Sequence, residues 1–74
     1  MTWNYRVIHR VEAGEDVYAI HEVYYDENHM PKMVTESPSY PMGETMEELQ
    51  EDLNLYDLAM LKPILEYESF NTAP

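Results

Sequence analysis

The chain has 74 residues, with 15 Asp and Glu against 4 Lys and Arg for a formal charge of −11, and 45% of it is hydrophobic, including seven Tyr and one Trp. That length supports one domain at most and excludes a large catalytic scaffold, while the aromatic content excludes a disordered acidic tail. With no cysteine, there is no disulfide framework, thiolate nucleophile, cysteine zinc site or iron–sulfur cluster.

Residues Trp3 to Val11 alternate Trp3, Tyr5, Val7, His9 and Val11 with Asn4, Arg6, Ile8 and Arg10, a period of two that predicts a strand over about 3–11. Glu12 to Asp16 supplies a turn with one Gly, and Val17 to Tyr25, dense in Val, Ile and Tyr, predicts a second strand over 17–25. The two form a hairpin. Asp26 to His29 is a polar break, and a shorter third strand is expected over 32–36. Pro38 and Pro41 then flank an extended connection.

A helix is expected over about 46–62. Thr45 followed by Glu48 is a capping box, which satisfies orphaned backbone N–H groups, and Pro63 ends the helix near Lys62. Met46, Leu49, Leu53, Tyr56 and Met60 recur at helical spacing as the stripe that should cover the sheet, widened by Leu58, Ala59 and Leu61. Ile64, Leu65, Tyr67 and Phe70 are too apolar for a free tail, so 63–74 is expected as an extended segment packed on the sheet or on a second subunit. The whole is a single α+β domain, 1–74: a three-stranded antiparallel meander packed by one C-terminal helix, β-β-β-α.

Several residue clusters carry alternative readings. Glu44, Glu47, Glu48, Glu51 and Asp52 crowd the helix start, together with Glu15-Asp16 and Asp26-Glu27 at the hairpin turns. Anionic residues suit a helix N-terminus, but Glu47 with Glu51 and Glu48 with Asp52 are like-charge pairs one turn apart, so the run is either a solvated face or a surface for a basic protein partner. His9 and His21 would face each other if the first hairpin closed through a three-residue loop, Gly14 to Asp16; a two-residue loop would separate them. Structural histidines are the plainer reading, and neither metal nor cofactor is expected. Tyr18, Tyr24, Tyr25 and Tyr40 exceed what one small core absorbs, which makes Tyr18, Tyr24 and Tyr25 candidates for a core edge or a subunit interface. One helix on one sheet face would leave the other, with Ile8, Tyr18, Ile20 and Tyr24 or their partners, poorly covered; that implies a homodimer.

Catalytic signatures are absent: no G-x-S-x-G elbow surrounds Ser37, Ser39 or Ser69, and there is no phosphate-binding or calcium loop. The expectation is a non-enzyme. The acidity repels nucleic acid and anionic lipid as direct ligands, and no stretch reaches the ~18 apolar residues of a membrane span, so a cytoplasmic protein is expected.

The runs WNYRVIHR, YAIHEVYYDENHMP and PMGETMEELQEDL resemble a widespread set of small bacterial and phage proteins and, more distantly, the HicB antitoxin domain. The helix entry Pro41-x-Gly43-Glu44-Thr45-x-Glu47-Glu48-Leu49 carries the likeness, which covers residues 3 to 65 and implies a β-β-β-α unit. Unlike those antitoxins, residues 1–74 are expected to carry no appended DNA-binding domain. In size and charge alone the chain also resembles anti-CRISPR and other nucleic-acid-mimicking inhibitors. The expected function is therefore inhibition of a basic nucleic-acid-binding protein by mimicry; the alternative is an antitoxin for a small basic ribonuclease, with metal binding or catalysis a distant third.

Overall fold

The computed structural model describes residues 2–70. Its elements are β1 (Thr2–Glu12), β2 (Glu15–Tyr25), β3 (Pro31–Val34), α1 (Met46–Ala59), β4 (Leu65–Glu66) and a single 3₁₀ turn, Tyr67–Ser69. The sheet order is β3-β2-β1-β4. The first three strands pair antiparallel, as their period of two predicts, but Leu65 and Glu66 add a short strand parallel to β1 beside Ile8 and His9. The α+β class and the single helix stand, whereas the three-stranded sheet is corrected to a mixed sheet of four strands. Tail residues 71–74 lie outside the described residues.

The β1–β2 hairpin closes through Ala13 and Gly14, both at positive φ (50° and 80°), with Glu12 opposite Glu15. Consecutive left-handed residues give the turn whose twist matches that of paired strands. Both strands accordingly run closer to the turn than expected. This two-residue loop also fixes which faces the histidines occupy: His9 lies opposite Tyr18, and His21 opposite Arg6. A change of one residue in the loop would exchange the faces of an entire strand. His9 and His21 therefore project from opposite faces, and the three-residue loop that would have paired them is excluded.

Each face has its own cover. On one, Ile8 and Val23 are fully buried and Val34 nearly so, with Tyr25, Leu65, Tyr67 and Phe70 packed against them. The apolar tail residues thus close over the sheet of their own chain. Tyr67 is pinned by the Arg10 guanidinium, 4.0 Å from its ring centroid. The other face carries Trp3, Tyr5, Val7 and His9 and receives α1, where the Tyr5 and Tyr56 rings meet at 4.5 Å.

The helix is rotated from its expected setting. Tyr56 and Ala59 are its buried residues, with Leu49 and Asp52 half-buried on the same side. Met46 and Met60 are 80% and 66% exposed and Leu53 38% exposed, so three of the five stripe residues point away from the core. The cause is polar. Asp52 turns inward, where its Oδ1 accepts from the Tyr5 hydroxyl (3.0 Å) and its Oδ2 from the Met42 N–H (3.0 Å). Met60 caps the helix and the chain leaves it in a turn over Met60 to Lys62, short of the expected end.

Candidate interaction surface

The start of α1 is set by Thr45, whose hydroxyl accepts from the Glu48 N–H at 3.1 Å, as expected of the capping box. The reciprocal half differs: the Glu48 carboxylate accepts from the Glu44 N–H, one residue before the cap. Gly43 fixes the approach. A Cβ there would lie 2.5 Å from the Leu49 nitrogen and 2.7 Å from the Glu48 Cβ, so the entry loop touches the first turn closely enough to admit only glycine without a shift.

These contacts sort the candidate acids. Glu48 caps the helix and Asp52 bonds inward. Asp16 accepts from His9 at 2.8 Å. Asp26 Oδ1 accepts from the N–H groups of Asn28 and Met30, and these backbone bonds, that of Met30 foremost, hold its carboxyl below the usual range. These four hold the chain's own structure. Glu44, Glu47 and Glu51 on the helix side, with Glu15 and Glu27 at the hairpin ends, are exposed. Their side chains make no hydrogen bond or ion pair among the described residues. The two turn clusters stand at opposite ends of β2, roughly 33 Å apart for a strand rising about 3.3 Å per residue, so the nine acids do not form one patch.

What remains together is one face of α1. Residues 47, 51, 55 and 58 succeed one another at +4, +4 and +3, which places Glu47, Glu51, Leu55 and Leu58 in a row along its outer side. No basic residue occupies its last turn. Leu55 and Leu58 are 47% and 53% exposed and border a groove of about 420 Å³ with Trp3, Asn4, Tyr5 and Lys62. The surface is acidic at the helix start and apolar toward its end. Leu55 and Lys62 went unselected in the sequence, although the pair Leu55 and Leu58 lies off the Leu49–Tyr56 stripe and was the available signal.

The tyrosines divide as well. Tyr25 is half-buried, packs against the Ile8–Val23–Val34 cluster, and its hydroxyl donates to Asn4 and accepts from Arg6. Tyr24 is half-buried beside Trp3 and donates to Glu22. Tyr18 is 60% exposed and lies on the His9 ring at 4.8 Å. The expected uncovered sheet face does not exist in that form, because the tail segment covers Ile8, while Ile20 is half-buried.

Two polar arrangements complete the inventory. His9 donates from both ring nitrogens, Nδ1 to Glu66 (2.7 Å) and Nε2 to Asp16 (2.8 Å), and these bonds, Glu66 first, raise its pKa above 6.5. The imidazolium so favoured ties β1, β2 and β4 together, with neither nitrogen left for a metal ion. On the opposite face His21 is fully buried, Nδ1 lies 2.8 Å from the Thr35 carbonyl, and burial pushes its pKa down. Arg6 beside it is 8% exposed and donates to the Tyr25 hydroxyl and the Pro63 carbonyl. No group of three or more His, Asp or Glu among the described residues has the arrangement of a metal site. No protein-family model, curated protein or solved structure matches the chain.

Proposed function

We propose that this protein is a small acidic, non-enzymatic inhibitor that binds a basic surface of a nucleic-acid-binding protein, with the outer side of α1 as the contact. The observation that carries this reading is the row Glu47, Glu51, Leu55, Leu58. Its two carboxylates are free of internal partners among the described residues, stand about 6 Å apart along the helix axis and pass directly into exposed leucines. Repulsion between Glu47 and Glu51 costs folding stability by about 0.2–0.5 kcal/mol and returns nothing inside the chain. A basic groove built for phosphates would neutralise both, while Leu55 and Leu58 add the apolar contact that a phosphate backbone lacks. Among the described residues no helix is long and apolar enough to cross a membrane, and the proposed site of action is the cytoplasm.

The second reading, a HicB-like antitoxin that neutralises a small basic ribonuclease, draws support from the order β1-β2-β3-α1, the unit that the sequence resemblance implies. Competition separates the two. A mimic is displaced from its partner by nucleic acid, whereas an antitoxin that plugs an active site without resembling its substrate withstands it. The test is affinity capture from native extract at low and high salt, with bound proteins identified by mass spectrometry and then challenged with nucleic acid. The mimic reading expects a basic nucleic-acid-binding protein, released by salt and by nucleic acid. Retention of a partner that neither releases refutes it.

A further inference from the structure

We propose that Pro63 to Phe70 is a latch that pH opens from both sides: the segment stays closed over the sheet only while His9 on one face is charged and His21 on the other is neutral, and acid or alkali releases it locally. Side chains of β1 hold it. The Arg6 guanidinium donates to the Pro63 carbonyl at 2.8 Å, Leu65 and Glu66 pair with Ile8 and His9, Glu66 accepts from His9 at 2.7 Å, and Arg10 lies on the Tyr67 ring. β4 pairs at two positions, whereas β1 and β2 pair along all 11 residues of each strand. So short a ladder opens at lower cost than the sheet it covers. Its release uncovers Ile8 and Val23, on the face away from α1, and stands apart from the role given to that helix.

The two histidines act on the segment with opposite signs. On the α1 side His9 meets Asp16 and the Tyr18 ring from β2 and Glu66 from the segment, and only the imidazolium donates to both carboxylates at once. On the other side His21 is fully buried, with Nδ1 on the Thr35 carbonyl after β3 and the Tyr67 ring beside it, 6.1 Å between centroids. Its Nε2 is buried without a partner among the described residues. The charges that face it from β1 are Arg6, directly opposite and bonded to no carboxylate, and Arg10, which carries Tyr67 and is countered by Glu12 at 3.3 Å. From the segment, Glu66 is turned to His9 and Glu68 is exposed. A proton on Nε2 is therefore a further positive charge in a dry site that already holds a guanidinium, and lifting the segment lets water reach it.

Linkage fixes the shape of the response. Closure that needs neutral His21 weakens as pH falls from 6.5 to the lower midpoint of that ring, and closure that needs charged His9 weakens as pH rises to the higher midpoint of the other. Protection of the segment thus peaks between the two ring titrations, and each limb falls by up to about tenfold per pH unit. The alkaline limb is the shallower, because opening frees His9 from Glu66 while Asp16 stays bonded.

The experiment is amide hydrogen exchange of the full chain from about pH 5 to about pH 9, corrected for intrinsic exchange rates, with both rings titrated by NMR in the same sample. Protection at Leu65 to Phe70 should peak between the two ring midpoints and decline on either side, ending its acid decline at the His21 midpoint. Those amides should stay less protected than the β1–β2 amides at every pH, which marks local release and not unfolding. His9→Gln, which leaves the buried ring in place, should remove the alkaline limb and keep the acid one. Protection of the segment that is flat through both ring titrations overturns the proposal. So does an alkaline limb that persists in His9→Gln, or equal protection of the segment and the β1–β2 amides throughout.

Discussion

Replacing Asp52 by Ala separates a structural carboxylate from a recognition carboxylate on the same helix. Asp52 is half-buried, and it accepts from the half-buried Tyr5 hydroxyl and from the Met42 N–H of the loop that leads into α1. Burial, reinforced by Asp52, pushes the Tyr5 pKa far up, so at neutral pH the pair is a phenol donating to a carboxylate. A hydrogen bond to a charged group contributes about 1.5–3 kcal/mol, and water replaces most of the exposed Met42 bond, so Asp52→Ala should cost ~1.5–3 kcal/mol. In a domain of this size each kcal/mol moves the melting temperature by about 4–8 °C, giving a fall of roughly 6–24 °C by circular dichroism. Glu47→Ala and Glu51→Ala should each change stability by less than ~0.5 kcal/mol, or raise it by removing a like-charge pair. A double-mutant cycle with Tyr5→Phe assigns the loss to the bond, since the coupling should recover most of the single-mutant cost. Equal effects of Asp52→Ala and Glu51→Ala would refute the inward setting of the helix.

Ile8→Ala, at a fully buried position, should cost ~2–5 kcal/mol, whereas Leu53→Ala, at 38% exposure, should cost only about 1 kcal/mol; denaturant titration giving the reverse order would place the core elsewhere. Gly43→Ala forces the entry loop off the Leu49 nitrogen and should destabilise by about 1–3 kcal/mol while weakening partner binding, and a neutral result in a melt would show that the loop is not seated there. Followed by NMR, His9 should titrate above 6.5 and His21 below it. Raised in the folded state, His9 contributes stability that is full below the unfolded value and is lost as pH rises through its folded pKa; His21, held neutral, contributes stability present above 6.5 and lost as pH falls through its depressed value. A common midpoint near 6.5 for both rings would contradict the bonding of His9 and the burial of His21.

Local chemistry explains which of these features could be read in advance. Alternation marks β1 and β2 because one period of two governs the residues on both their faces, and Thr45 marks the helix start because a cap is a contact between neighbours in sequence. Ala13 carries no turn signal as strong as Asn-Gly, so the closing loop was ambiguous by one residue, and with it the relation of His9 to His21. β4 is two residues long and defined by a partner far away in the chain, so only the apolarity of Leu65 and Tyr67 hinted that the tail packs. The helix stripe failed for a different reason. Hydrophobic periodicity assumes that the inner face is apolar, and Asp52, by reaching Tyr5, turns that face away from Met46, Leu53 and Met60.

The proposed role of the α1 surface meets its most direct test in parallel captures from native extract with the wild type, with Glu44→Gln/Glu47→Gln/Glu51→Gln, and with Glu15→Gln/Glu27→Gln. All three proteins should show the same circular dichroism, with the helix variant as stable as the wild type or slightly more so because it loses a like-charge pair, since none of these five carboxylates has a partner among the described residues. The account predicts that a basic nucleic-acid-binding protein is retained by the wild type and by the hairpin variant, is lost from the helix variant, and is displaced from the wild type by added nucleic acid. An identical set of proteins retained by the wild type and the helix variant at every salt concentration would contradict it.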